Sequence, residues 1–505
     1  MGMSASGFSI VRGGRVLDLP AGVAAPADLL IEAGRIRELG PPGMPAPADA
    51  AIVDASDRLV IPGLVNAHTH GHGSLGKGAG DRWTLELLLN AGPWITGQRA
   101  TEHKYLSALV GALEMLRKGC TACYDLYFEF PLPTLEGMDA AARGYSDAGM
   151  RAVIAPMVAD CSFFQAIPGL IDALPADLRR EVERMRLAPA QITVDACAAL
   201  LRDWPHDRDR LRLALAPTIP LHCADEFIAA CGALAREHGV GLHTHLAESK
   251  LQALIGMRRY GRTLTAHLEK LGFLGPDFTG AHCVWLDGDD VKRFAENGAS
   301  VAHNPGSNLR LGSGIAPARQ LLDAGVNVGV GTDGAHCADN QNMFEAMRFA
   351  AYVSRIRDHD PQRWLSAREV LGMATAGSAR AMGFGEDIGR IAPGAWADLV
   401  FLDLGHINWI PANDPVNQLV NTEDGAAVDG VMVGGRIVLW GGHFTTVSLA
   451  RVRTQVDRAW QRLLELNHDA RELAARLDPV VSHYCVGLSR SPYHVHAMAS
   501  VGEAG

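Results

Sequence analysis

The feature that most constrains the fold is a set of metal-ligand residue types at four separated points. His68-Thr-His70 comes first, then His245 with Glu248 three residues on, then His282, then Asp333. Each follows a short apolar run that reads as a strand: Arg58 to Val65, Val240 to Leu242, Phe278 to Ala281 and Val326 to Val330. Side chains two apart on a strand face one way, so His68 and His70 can grip one ion. Residues at successive strand ends converge only where the strands are parallel and close into a barrel. In such a barrel the chemistry sits at the C-terminal mouth.

The rest of the chain supports that architecture. Up to about Ile61, short apolar stretches alternate with Gly and Pro turns, the pattern of a small β structure. Strand-like runs then alternate with helical stretches such as Glu102 to Arg117 and Ala224 to Glu237, which implies βαβ units. β character returns at Gly389 to Leu402 and Gly430 to Leu439. The second of these shares a Gly-Gly-Arg turn with Ile10 to Leu17, read in both places as a hairpin. The expected organisation is therefore α/β: residues 1–62 and 386–448 as one composite β-sandwich, 63–385 as the barrel, and 449–505 as a C-terminal helix and tail. Val452, Val456, Trp460, Leu463 and Leu466 stand at helical spacing within a helix expected over 450–476. After Pro479 the tail reads as Gly/Pro-broken but apolar enough to pack on the barrel or a second copy.

Composition excludes several roles. The chain of 505 residues carries a net charge of −10 with no basic stripe, which argues against nucleic acid and suits a small neutral or cationic substrate. No segment is apolar enough to span a bilayer, and the N-terminus lacks the apolar core of a signal peptide. Gly2 and Ser6 fit a loose acylation pattern that six residues meet by chance. Nine scattered cysteines fit a reduced, cytoplasmic protein. Cys120-Thr-Ala-Cys123 is read as a turn entering a strand, because a structural zinc needs four ligands and no second such pair exists.

A lone histidine is usually structural, and this chain has twenty. The ordered combination is what points to a metal: imidazole and carboxylate ligands suit zinc, or iron, manganese or cobalt. The motifs Pro62-Gly-Leu-Val-Asn-Ala-His-Thr-His70, His243-Thr-His-Leu-Ala-Glu-Ser249, Gly280-Ala-His-Cys283, His303-Asn-Pro-Gly-Ser-Asn308 and Gly331-Thr-Asp-Gly334 resemble the amidohydrolase superfamily. The branch they resemble holds cytosine, guanine and adenosyl deaminases and triazine hydrolases; Pro393-Gly-Ala-Trp-Ala-Asp-Leu-Val400 resembles its C-terminal signature. The resemblance covers about residues 8–445 and implies a distorted (β/α)8 barrel beside a composite β-sandwich.

By that resemblance His68, His70, His245 and Asp333 look like the ligands of one divalent ion, with His243 a competing ligand on the same strand face as His245. Glu248 looks like the proton shuttle, and His282 like the histidine that touches the metal-bound water. Two-metal relatives bridge their ions with a carbamylated lysine on the fourth strand; Leu213 to Pro220 has no Lys, so one metal is expected. The implied chemistry is hydrolytic deamination of an aminated nitrogen heterocycle (a purine, pterin, pyrimidine or triazine) by a metal-bound hydroxide, in a homo-oligomer, dimer or tetramer. The alternatives are hydrolysis of a cyclic amide, ureide or chloro-triazine, or a non-catalytic metal-binding scaffold. The adenosyl deaminases place a His in the fourth-strand stretch and a Glu after the first loop, where this chain has Thr218 and Thr96-Gly-Gln98. The choice of heterocycle stays open on these residues. His303 and Trp94 are candidate substrate contacts, His303 alternatively bonding the loop backbone; His72, Phe163, Phe164, His336 and Cys337 border the mouth or shape its loops, and Asn66 and Asn308 read as loop-shaping.

Overall fold

A computed structural model describes residues 7–498; Gly2 and Ser6 lie outside them. Eight strand segments form the barrel: β1 (Leu64–Thr69), β2 (Cys120–Phe128), β3 (Arg151–Val158), β4 (Leu211–Leu213 with Ala216–Pro217), β5 (Leu242–Leu246), β6 (Phe278–His282), β7 (Ser300–His303) and β8 (Asn327–Val330). Neighbours pair in parallel from β1 to β4 and from β5 to β8. The two halves meet at a single parallel bridge, Leu215 to Leu242. At the other seam the Asp333 N–H donates to the His68 carbonyl at 2.9 Å, and the Thr332 N–H to Asn66 Oδ1 at 3.0 Å. Neither seam carries a regular ladder, so the barrel is distorted.

The run Arg58 to Val65 is two strands, not one. Arg58–Pro62 pairs antiparallel with Leu399–Asp403, whereas Leu64–Thr69 enters the barrel. Gly63 makes the switch: a Cβ there would stand 2.1 Å from Thr121 Oγ1. A seven-stranded sheet takes strands from both chain ends, and a four-stranded sheet of N-terminal strands faces it. Val11, Ile31, Val60, Leu399, Phe401 and Met432 fill the space between. The two Gly-Gly-Arg turns differ. Val428–Val433 and Arg436–Trp440 do form a hairpin. Phe8–Arg12 and Arg15–Asp18 belong to different sheets, so Gly13-Gly14 is a crossover, and Gly13 (φ +80°) abuts Ser56 too closely for a side chain.

The expected break at Pro479 is absent. After Leu449–Leu466, a second helix runs His468–Ser489 with Pro479 inside it. Proline in a helix interior costs about 3 kcal/mol. Packing offsets this: Leu477, Val481 and Cys485 are buried, and Asn90 Nδ2, on helix Leu85–Ile95, donates to the Ala474 carbonyl and Asp478 Oδ1. The following segment docks on the barrel as well, the Ala497 carbonyl accepting from the Ile315 N–H at 2.7 Å. No helix among the described residues is long and apolar enough to cross a membrane.

Candidate metal centre

The strand ends deliver the motif residues to one place. His68 and His70 come from β1, His245 from β5, and Asp333 from the turn after β8, where φ is +64°. His70 Nε2 lies 3.1 Å from His245 Nε2 and 3.2 Å from Asp333 Oδ1; His68 Nε2 lies 3.6 Å from the same oxygen. His70 Nδ1 is 2.8 Å from the Leu126 carbonyl, and His245 Nδ1 is 2.7 Å from that of Thr218. A carbonyl only accepts, so each Nδ1 carries the proton and each Nε2 presents a bare lone pair. Two lone pairs facing at that distance repel unless a cation lies between them. Tetrahedral bonds of ordinary metal–nitrogen length give ligand separations of about 3.3 Å. His68 is fully buried with neither ring nitrogen bonded by any described residue. The donor set therefore fits a divalent ion, and the candidate groups are His68, His70 and His245, and His68, His282 and Asp333.

Electrostatics agree with the geometry. Burial and the neighbouring imidazoles hold His68 well below its ordinary value, and burial, His70 and His282 bring His245 down to about 3. Such neutral imidazoles are ready to ligate. Burial alone would raise Asp333; His70, His282 and the Ser307 hydroxyl, which donates to Oδ2 at 2.5 Å, overcome it and keep the carboxylate ionised.

Glu248 and His282 stand beside this cluster. Glu248 Oε2 has no bonding partner among the described residues and lies 3.7 Å from His282 Nε2. Burial, then Asp333 and Glu86, push the Glu248 carboxyl well above the usual range. His282 Nδ1 donates to Asn308 Oδ1 at 2.8 Å, which turns Nε2 toward Glu248 and toward Asp333 Oδ2, 3.8 Å away. Ala247, His282, Cys283 and Asp333 all have positive φ without being glycine. Each such residue costs of order 1–3 kcal/mol, and such strain concentrates at functional sites.

The other named residues divide. His243 lies under His68, its ring 4.5 Å from that of Tyr124, and the metal-ligand grouping takes in His245 instead. Trp94 packs with Trp83 and beneath the Arg471 guanidinium, against the C-terminal helices. Among the described residues His303 makes no bond to the loop backbone through its ring. His72 and His336 border His70, and Phe163 packs on Phe164 and His222. Cys120 and Cys123 lie within β2 and are free and buried. Asn66 and Asn308 shape loops, as their bonds to Thr332 and His282 show.

Several contributors had no motif to announce them. Asp125 accepts from the Gly71 N–H and the Tyr145 hydroxyl and holds the turn after His70; burial lifts it to about 6. Glu86 accepts from Ser249 Oγ at 2.9 Å, next to Glu248. Ser307 lies in the quoted His303 to Asn308 motif, and its hydroxyl was the signal available there.

The model of the amidohydrolase family matches residues 59–438, and the chain belongs to that family. It is 35% identical over 435 residues to a 5'-deoxyadenosine deaminase of Methanothermobacter thermautotrophicus, covering 86% of this chain and 93% of that one. It is 32% identical to a 5-methylthioadenosine/S-adenosylhomocysteine deaminase of Moorella thermoacetica, covering 90% and 99%. Among solved structures it resembles an adenosine deaminase from Xanthomonas campestris with bound zinc (TM-score 0.77, 27% identity, 90% and 98% covered). It also resembles an atrazine chlorohydrolase from Arthrobacter aurescens TC1 complexed with zinc (TM-score 0.79, 28% identity, 89% and 99% covered).

Proposed function

We propose that this chain is a metal-dependent aminohydrolase that removes an exocyclic amino group from a nitrogen heterocycle, with adenosine-type nucleosides as the first substrates to test. The observation that carries the proposal is the juxtaposition of a bare-lone-pair imidazole cluster with the buried carboxyl of Glu248, whose Oε2 has no partner among the described residues. His68, His70, His245 and Asp333 would hold the ion. Zinc is favoured by the zinc-containing structural relatives. When bound, the ion supplies Lewis acidity that makes water nucleophilic near neutral pH. The adenosine-type relatives support the substrate class, although Thr218 offers no imidazole where adenosyl deaminases carry one.

The chain's own groups supply the proton path. Glu248 Oε2 takes a proton from the attacking water and delivers it to the ring nitrogen beside the attacked carbon. His282 Nε2 orients that water, its ring held by Asn308. The C–O bond forms, the remaining proton of the new hydroxyl passes to the exocyclic amino nitrogen, and the C–N bond breaks, so that ammonia leaves and a ring carbonyl remains. A cytoplasmic location and a homo-oligomeric assembly belong to the same proposal; nine free cysteines, eight of them buried, suit a reducing compartment.

Ammonia release from aminated purine nucleosides, pterins, pyrimidines and triazines tests the proposal. Release from at least one of them is expected. Chloride or a ring-opened acid as the only product would move the chain to the alternative hydrolase class. Metal bound without turnover on any of them would leave a scaffold.

A further inference from the structure

Strand β7 ends on His303, and strand alternation decides which way that ring points. Val301 packs in the apolar layer between strands and helices. His303, two residues on, faces the same layer and not the lumen. There it lines a cavity of about 80 Å³ with Ala316, Arg319, Ser354, Arg357 and Arg363 among the wall residues. Pockets for drug-sized ligands run to about 300–1,000 Å³, so this one is too small for a nucleoside.

Its chemistry is specific. His303 is 1% exposed, and neither ring nitrogen has a partner among the described residues. Two of the wall's arginines are neutralised: Arg319 by Asp323 and Glu369, and Arg363 by Asp323 and Asp358. Arg357 differs. Among the described residues its guanidinium bonds only the Ile315 carbonyl and has no carboxylate. Asp358, the wall's one acidic side chain, is engaged by Arg363 and the Asp360 N–H. Ser354 Oγ is committed to the Ala351 carbonyl.

We propose that this cavity binds a small oxyanion, a phosphate or a small carboxylate, on the Arg357 guanidinium and the His303 N–H. A guanidinium and a buried imidazole are charge-assisted and neutral donors of the kind such oxygens seek. The site is placed to reach the metal centre. His303 leads directly into the segment where Ser307 bonds Asp333 and Asn308 bonds His282. The His303 carbonyl also accepts from the Gly331 N–H, two residues before Asp333. Occupancy would therefore stiffen the groups that position Asp333 and His282.

Calorimetric titration of the metal-loaded full chain with inorganic phosphate, and separately with acetate, at ionic strength fixed with chloride, tests this. One saturable site per chain is expected for at least one of the two anions, and the two arms identify which. Arg357→Gln should weaken binding at least about tenfold, as expected for loss of a charged hydrogen-bond donor. Arg357→Lys should retain part of the affinity, since it keeps the charge and loses the fork. His303→Gln supplies an independent variant should Arg357→Gln fail to fold, and should also weaken binding. Absence of saturable binding for both anions overturns the proposal. So does phosphate binding unchanged in these variants, which would place the anion elsewhere, at the metal centre for instance.

Discussion

Two buried polar sites of this molecule are built on opposite principles. At the junction of barrel and sandwich, Arg151 and Asp398 are each 1% exposed and every group is answered. Arg151 Nε meets Asp398 Oδ2 at 2.8 Å, Nη1 donates to the Asp209 carbonyl at 2.6 Å, and the Gly434 N–H donates to Asp398 Oδ1. The guanidinium also lies 4.6 Å from the Trp396 ring centroid. At the mouth, His68, Glu248 Oε2 and His282 Nε2 are equally buried and unanswered, and the backbone around them is strained. A satisfied buried network serves the fold, whereas unpartnered groups that converge on one point leave a place for a ligand. Burial alone does not separate the two; hydrogen-bond accounting does.

The contrast can be broken by substitution. The largest expected effect is on catalysis: Glu248→Gln should retain metal and thermal stability while kcat falls about 10²–10⁴-fold, the usual worth of a general acid–base. Near-normal kcat, or an equal loss of stability, would erase the distinction. Arg151→Met should do the reverse. Removing one partner of a buried pair costs about 3–5 kcal/mol, so denaturant unfolding should show a large loss while metal content per folded chain stays unchanged. Metal removal by a chelator should be intermediate, lowering stability by about 2.7 kcal/mol relative to protein with ion at a hundredfold excess over Kd. Scanning calorimetry with and without chelator reads this.

Acid should act by degrees. Burial, with Arg259 beside His222 and with His282 and Arg357 beside His303, brings both histidines down to about 4 from an unfolded value of 6.5. Between those values the unfolded chain holds more protons than the folded one, so stability falls as pH falls. The loss is about 1.4 kcal/mol per pH unit for each group, starting near pH 6.5 and complete near pH 4. Unfolding at pH 7 and pH 5 checks the sign; greater stability at pH 5 would contradict it.

How far the sequence carried depends on what each contact needs. The convergence of the candidate ligands was legible because these residues sit in short motifs at strand ends, where local spacing brings them together. The choice of His245 over His243 came from the resemblance, which puts the ligand three residues before Glu248; spacing on a shared strand face does not make it, and the ligand grouping takes in His245. The carbonyls of Leu126 and Thr218 that orient two histidines are backbone atoms and leave no mark in residue identity. Pro479 misled because the helix through it is sustained by long-range packing on Leu85–Ile95, which overrides a local breaker. Gly13-Gly14 misled for a related reason: the same dipeptide serves a hairpin at Gly434 and a crossover between sheets at Gly13.

Elemental analysis of the purified full chain, with metal counted per protomer, bears most directly on the claim that the unanswered cluster at the mouth is a ligand site. One divalent ion per chain is expected, falling toward zero in His245→Asn and unchanged in Arg151→Met. No ion in the loaded wild-type chain, or two ions sharing a bridging ligand, would contradict it.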